Sequence, residues 1–479
     1  MYDHTRQYRC TIIRGKSQKE MDDLLPVYAL VVSTVCPCPV DDFEVRFNNE
    51  FIKYRQDTDA TKKTLDNHRT EIAGKLFGMY YKSFDGMVYE SERTKKYLVD
   101  SDQPAFFKDV CYKMQFPNGM QNISTLKERI ENRINIRPNA FVLKLLLIAR
   151  RARTDITIDE IGYYVLNSLD VLQGKATPDE VLREIRKAHL KRIERKIVVE
   201  GKASSYTFQH IREQINYLEV ANLVRIDDER RLCLNMRELE TINLFADCWN
   251  KSPAFNVYSY DLSTVDKRKE FELDWDKYYS QLSEVAGRFE TKASALIRED
   301  AADYAPQSDQ QQPVQPHPGQ GDGRENLTEL GDEGEEIVFL YEKARVKAYN
   351  PRLANKVIPL GKQRGLGYDI QSVIAEPGEM EEYVKYIEVK STKRVTPPDS
   401  SDFSWTDTVN ITRNEWVAAM QHKEFYSIYR LYFSRAGVTA FVLNNIWQKH
   451  QDGKLVPVPL TYKVDFKKDA VDSVIILRE

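Results

Sequence analysis

Cysteine and histidine are scarce in this chain, at six and seven residues of 479. The cysteines are scattered, with Cys36 and Cys38 the single close pair. No second pair stands where it would complete a zinc site, and the spacing is not that of a secreted disulfide framework. Reduced, packed thiols in a cytoplasmic protein are the expectation. No apolar run approaches the ~20 residues of a membrane span, and the N-terminus lacks a signal-peptide core, so no membrane partner is expected. The phosphate-binding Gly-x4-Gly-Lys-Ser/Thr loop is missing, which excludes the common nucleotide-triphosphate motors. A strong charge is missing too. The net charge is −3, so any nucleic-acid surface must come from local clustering of basic groups.

What is present is an ordinary globular composition, 42% hydrophobic and 30% charged, in a chain long enough for two to four domains. Residues 1–125 form an N-terminal α/β recognition region. Tyr8 to Arg14 reads as a strand, and helical patterns follow through Leu24, Leu25, Tyr28 and Val32, and from Lys62 to Tyr80. Between Phe77 and Phe116 aromatic residues alternate with basic ones. Such a stretch can stack on bases and neutralise phosphates, or simply fill a core.

Residues 126–297 are strongly helical. A helix opens at Pro138 and ends near Arg150 and Arg151, cations suited to a helix C-terminus. Thr157 with Glu160, and Thr177 with Glu180 behind Pro178, are capping boxes. A helix over Phe208–Ala221 leads into Val224-Arg225-Ile226, an acidic turn, and Arg230-Arg231-Leu232-Cys233-Leu234. Helices followed by a small basic hairpin resemble a winged helix, which would set a helix in a DNA major groove or serve as a protein-binding module. On the helix after Pro178, Arg183, Arg186, Lys187 and Lys191 share one half, and with Arg230 and Arg231 they are the candidate DNA-binding residues. Glu184 and Glu194 lie among them, so a merely solvated face fits that helix equally well. A further helix is expected over Lys277–Leu296.

Residues 298–330 are the expected flexible linker, since Gln307 to Gly323 is rich in Gln, Pro and Gly with almost no apolar side chains. Residues 331–479 then read as helix, three strands, helix, strand, strand. Lys356-Val357-Ile358-Pro359 is a candidate edge strand. Leu366-Gly367-Tyr368-Asp369-Ile370 and Ile387-Glu388-Val389-Lys390-Ser391-Thr392 flank a turn at Glu376–Glu379, so a hairpin is expected. Because a strand alternates faces, Glu388 and Lys390 point one way and Ile387 and Val389 the other. With Asp369 opposite, two carboxylates and an ammonium would meet on one sheet face. Two carboxylates suit Mg2+, which polarises a phosphodiester and activates water. A Glu-x-Lys on its own reads more simply as the solvent face of an amphipathic strand, with Lys protecting an edge.

Gly334-Glu335-Glu336-Ile337-Val338, the two strand motifs, Ile411-Thr412-Arg413-Asn414-Glu415-Trp416 and Tyr429-Arg430-Leu431-Tyr432 occur in that order. Together they resemble the PD-(D/E)XK nuclease superfamily, and within it the domain named after the C-terminus of the plant protein NO VEIN. The resemblance implies a restriction-endonuclease-like mixed sheet and a triad of Asp369, Glu388 and Lys390. It further implies Glu335 as accessory acid, and Mg2+ held by Asp369 and Glu388. Tyr368 stands where the family motif has proline. Separating recognition from cleavage is similar to FokI- and AlwI-type restriction enzymes.

The expected fold is thus multidomain, mainly α with a winged-helix-like part, followed by an α/β domain. The expected function is a Mg2+-dependent endodeoxyribonuclease of restriction or anti-phage type acting on double-stranded DNA. A homodimer and a cognate methyltransferase are the partners such an activity would call for. The alternative is a non-catalytic DNA- or partner-binding subunit.

Overall fold

The computed structural model describes residues 2–13, 15–55, 60–195, 202–292, 296, 325–361, 366–375, 383–399, 401, 407–455 and 457, with backbone alone at 202–206 and 325–330. The tract 301–324, the turn Glu376–Glu379 and the strand-like pieces after Leu455 lie largely or wholly outside the described residues.

The N-terminal part is helical. Its first helices are α1 (Gln18–Val35), α2 (Val40–Arg55) and α3 (Lys62–Asp66, continuing as a π-helix over Asn67–Leu76). Then come α4 (Glu92–Asp100), α5 (Gln103–Lys113), α6 (Ile123–Glu131) and α7 (Pro138–Arg151). The series continues with α8 (Ile158–Ile161), α9 (Leu169–Leu172), α10 (Pro178–Leu190), α11 (Lys202–Val220), α12 (Leu239–Ala246) and α13 (Val265–Ser280). Two small sheets interrupt it. One joins β1 (Cys38–Pro39), β2 (Tyr80–Lys82) and β3 (Met87–Glu90), and the other is the hairpin of β4 (Val224–Ile226) and β5 (Leu232–Leu234). A continuous apolar cluster runs from Cys10 to Phe289.

The capping boxes expected at Thr157 and Thr177 are both formed, each with its glutamate carboxylate on the cap backbone. Beside the β4–β5 hairpin, Ile158 N–H donates to the Arg230 carbonyl and Leu232 N–H to that of Ile156, which adds a third short extended segment.

Three local expectations are corrected. The described part of the Tyr8–Arg14 stretch forms no strand. It threads between helices, and its polar backbone groups find side chains: Tyr217 Oη donates to the Ile13 carbonyl at 2.7 Å and Arg129 donates to that of Thr11. The helix expected over Lys277–Leu296 instead ends at Ser280, where the chain turns inward and Ser283 N–H donates to Asp109 at 2.9 Å. The pattern from Lys62 leaves the helix at Leu76, and Tyr80 opens β2.

Much of the aromatic and basic interval proves to be core, while Lys82, Phe84 and Lys95 stay exposed. Phe77, Phe107 and Phe116 are fully buried, and so is Lys108, which is paired with Glu238 at 2.8 Å. Arg93 is likewise buried against Asp109.

The C-terminal part is a sheet between helices. α14 (Glu325–Tyr349) precedes β6 (Ile358–Pro359), β7 (Ile370–Val373) and β8 (Val384–Lys393). α15 (Arg413–His422), β9 (Tyr426–Ser434), β10 (Gly437–Asn444) and α16 (Ile446–Gln451) follow. The sheet order is β10-β9-β8-β7-β6, with β8 and β9 parallel and the other neighbours antiparallel. The edge position of β6 is the one its proline suggests. Alternation gives the sheet two apolar faces. Ile387, Val389, Leu431 and Phe433 pack with Val338 and Val346 of α14, while Ile428 and Tyr426 pack with Ala418 and Ala419 of α15. Gly334 permits the α14 approach, since a Cβ there would stand 2.1 Å from Ser391 Oγ.

The end of β8 is anchored in the helical part. Thr392 Oγ1 donates to the Ser101 carbonyl at 2.9 Å, Lys393 pairs with Asp102 at 3.4 Å and Arg394 with Asp23 at 2.7 Å. Thr396 N–H donates to Asp22 at 2.8 Å, and Val395 joins the N-terminal apolar cluster. From the β9–β10 turn, Arg435 donates to the Glu219 carbonyl at 3.0 Å, at the end of α11.

Candidate active site

Local geometry places Asp369. Gly367 has φ +79°, and a Cβ there would stand 2.5 Å from the Asn414 carbonyl oxygen at the start of α15. Only glycine turns the chain so close to that helix. Tyr426 Oη donates to the Gly367 carbonyl at 3.0 Å from below. Asp369 N–H then donates to the Ile387 carbonyl at 2.9 Å, and Val389 N–H donates to Asp369 Oδ2 at 2.8 Å. Since Ile370 pairs with Ile387, Asp369 falls opposite Glu388 on the face away from α14.

Glu388 is 3% exposed, and the ammonium of Lys390 lies 2.7 Å from its Oε1. The two carboxylates and the lysine expected from the sequence are therefore brought together. A fourth member carries no site signal of its own in the sequence. Glu415 Oε2 lies 3.0 Å from Lys390 Nζ, while the same oxygen accepts from the Thr412 N–H at 2.9 Å in a capping box. In the sequence it stands within one motif of the domain resemblance, with nothing that points to Lys390. Its second task depends on α15 lying across β8.

Glu335 sits half-buried on α14, and its carboxylate lies against Gly361, where a Cβ would come within 2.0 Å of Oε2. The neighbouring Leu360 N–H donates to the Asp369 carbonyl at 2.6 Å, so Glu335 stands at the same end of the sheet as Asp369.

Burial sets the electrostatics. Loss of hydration, reinforced by the Asp369 and Glu415 charges and partly offset by Lys390, pushes the Glu388 carboxyl up to about 9. Burial raises Asp369 as well, against the Val389 N–H and Lys390, which lower it. Lys390 is itself raised, because Glu388 and Glu415 outweigh its desolvation. Three carboxylates against one ammonium leave a formal −2 when all are ionised, a deficit that a divalent cation balances. Among the described residues no group of three or more His, Cys, Asp or Glu side chains is arranged to hold a metal. Two hard carboxylates whose ion draws its other ligands from water and phosphate fit Mg2+.

The basic candidates fall into two sets. Arg183 and Arg186 are exposed and, with Arg151 and Ile148 of α7 and Asp179 and Leu182 of α10, line an open groove of about 620 Å3. Lys187 is exposed but paired with Glu184 at 2.7 Å, and Lys191 caps the exposed end of α10. Arg230 lies over the Phe208 ring at 4.9 Å and pairs with Asp159 at 3.3 Å. Arg231 is held by Asp227 at 2.7 Å and Glu229 at 3.0 Å.

The molecule thus joins a mainly helical N-terminal part to a mixed sheet packed between helices. Residues 2–276 match the family described as restriction endonuclease BpuJI, N-terminal, and the chain belongs to that family. Residues 334–442 match the domain described as protein NO VEIN, C-terminal. The chain is similar to a solved structure of the BpuJ1 endonuclease binding domain in complex with pyrene- and phenanthrene-modified DNA. That similarity has 50% identity and a TM-score of 0.57 over 58% of this chain and 100% of the other. No curated protein matches. Among the described residues, no helix is long and apolar enough to cross a membrane.

Proposed function

We propose that this protein is a Mg2+-dependent DNA endonuclease of restriction or anti-phage type. Its N-terminal domain would recognise double-stranded DNA, and its PD-(D/E)XK-like C-terminal domain would hydrolyse the phosphodiester. The reading is carried by the placement of Asp369 beside Glu388, with Lys390 on the same face of β8.

Asp369 and Glu388 would hold the ion, which supplies charge neutralisation and polarisation of the phosphate when bound. Lys390 would orient the attacking water and offset charge developing on the phosphate. Glu335, at the same end of the sheet, would reach the site through water. α15 and the strand neighbours shield the carboxylates from solvent, and this strengthens each of these interactions.

DNA recognition is supported by the membership of residues 2–276 in the BpuJI family and by the DNA complex of the similar binding domain. The α7–α10 groove, with Arg151, Arg183 and Arg186, suits a phosphate backbone. The β4–β5 hairpin with its flanking segment and helices suits a winged helix. Arg230 and Arg231 would have to exchange their acidic partners for phosphates, so Arg183 and Arg186 are the stronger candidates. Cutting both strands with one site per chain calls for a homodimer on the DNA, and a host carrying such an enzyme in its cytoplasm needs a cognate methyltransferase.

The test is cleavage of plasmid and phage DNA, unmodified and modified, with and without Mg2+, by wild-type protein and Lys390→Ala, with the fragment ends sequenced. Discrete Mg2+-dependent fragments, absent with the variant, are expected. Tight DNA binding with no cleavage of any substrate by folded protein would instead assign a binding subunit of a defence complex.

A further inference from the structure

We infer that Glu415 is a positioning residue for Lys390, holding the ammonium in place independently of Glu388. The inference rests on the nuclease reading and deepens it. Lys390 has two carboxyl partners, Glu388 at 2.7 Å and Glu415 at 3.0 Å. They differ in what else they must do. Glu388 is a proposed metal ligand and would share its oxygens with the cation, so a lysine tied to Glu388 alone would be held less firmly in the loaded site. Glu415 has no such duty and stays.

Its own position is fixed from the helix. The Thr412 N–H donates to Glu415 Oε2, and Thr412 Oγ1 accepts from the Glu415 N–H, in a reciprocal capping box. The carboxylate also lies in the first turn of a ten-residue helix, where the helix dipole favours negative charge. Ala418 and Ala419 seat that helix on the β9 side chains, so Glu415 is carried to Lys390 by a packed element. Its side chain is 12% exposed, which shields the pair from solvent. The neighbouring cation Arg430, opposite Lys390 in the parallel register, is taken up by Asp407 at 2.7 Å and leaves Glu415 to the lysine.

Glu415→Gln separates the cap from the charge, because glutamine also completes a capping box. The melting temperature should stay within about 2 °C of wild type, while Mg2+-dependent cleavage falls by about 10–100-fold with the DNA concentration at half-maximal rate unchanged. A readout free of catalysis is the rate at which Lys390 is acetylated by acetic anhydride without metal, followed by mass spectrometry. It should rise several-fold in Glu415→Gln as the ammonium is released. Wild-type cleavage by Glu415→Gln or unchanged labelling of Lys390 would overturn the assignment. So would a large drop in melting temperature, which would make the cap the whole role. If wild-type protein cleaves nothing, the nuclease reading fails by itself, and the labelling still decides whether Glu415 holds Lys390.

Discussion

Replacing Glu388 with glutamine should make the metal-free protein more stable at alkaline pH. Burial and the Asp369 and Glu415 charges raise Glu388 from 4.5 in the unfolded chain to about 9 in the folded one. Between those values the folded state holds a proton that the unfolded state has lost. Stability from this group is therefore complete below about pH 4.5 and is lost progressively as pH rises through 9. At ~1.36 kcal/mol per pH unit, such a shift sets a ceiling of about 6 kcal/mol. With Lys390 alongside and solvent entering as the site relaxes, on the order of 2–3 kcal/mol is expected. For a domain of this size that is roughly 5–10 °C in melting temperature. Glutamine keeps the shape and an acceptor for Lys390 but carries no charge. Scanning calorimetry in a chelator should show the variant equal to wild type near pH 5 and roughly 5–10 °C more stable near pH 9. Mg2+ should then stabilise the wild type and leave the variant unmoved, since only the ionised carboxylate binds it. Wild-type stability that is flat from pH 5 to 9, or a variant less stable than wild type at pH 9, would refute the reasoning.

Asp369→Ala should abolish cleavage and leave DNA affinity within about twofold in a gel-shift titration, because the proposed site lies in the C-terminal sheet and the proposed DNA groove between α7 and α10; cleavage at the wild-type rate would remove Asp369 from the site. Arg183→Ala with Arg186→Ala should weaken binding to all sequences alike and reduce the salt slope by about 2, one for each phosphate no longer neutralised; an unchanged slope would move the DNA elsewhere. Arg394→Ala leaves Asp23 buried and unpaired, at a cost of about 3–5 kcal/mol in the docking of β8 on the helical part. Calorimetry should then split one transition into two, and a single unshifted transition would contradict this. Gly367→Ala forces a Cβ against the Asn414 carbonyl at φ +79°, and should cost ~1–3 kcal/mol while displacing Asp369 enough to stop cleavage.

Features set by neighbours within a turn or a strand were legible without the fold. The capping boxes at Thr157 and Thr177 form because a hydroxyl and a glutamate three residues apart satisfy each other's backbone groups in any context. Glu388 and Lys390 share a face because strand side chains alternate, whatever the strand packs against. The order of C-terminal elements followed from the same periodicities and from a motif series that resembles a known domain.

Other features needed the tertiary structure, because they depend on what lies across the sheet or hundreds of residues away. The interval from Phe77 to Phe116 reads alike as nucleic-acid surface or as core. Only packing of α13 and the 291 region against it buries Arg93 and Lys108. Tyr8–Arg14 has strand composition, yet the backbone groups of its described residues bond the Asn167 carbonyl and side chains from distant helices. Glu415 looks like a cap until α15 is laid over β8. The link from Arg394 to Asp23 spans 371 residues of sequence, and no local pattern encodes it. Sequence by itself determined which side chains stand together on each element. The tertiary structure decided which are dry and which charges face one another, because hydration and Coulomb energy depend on distance through space and not along the chain.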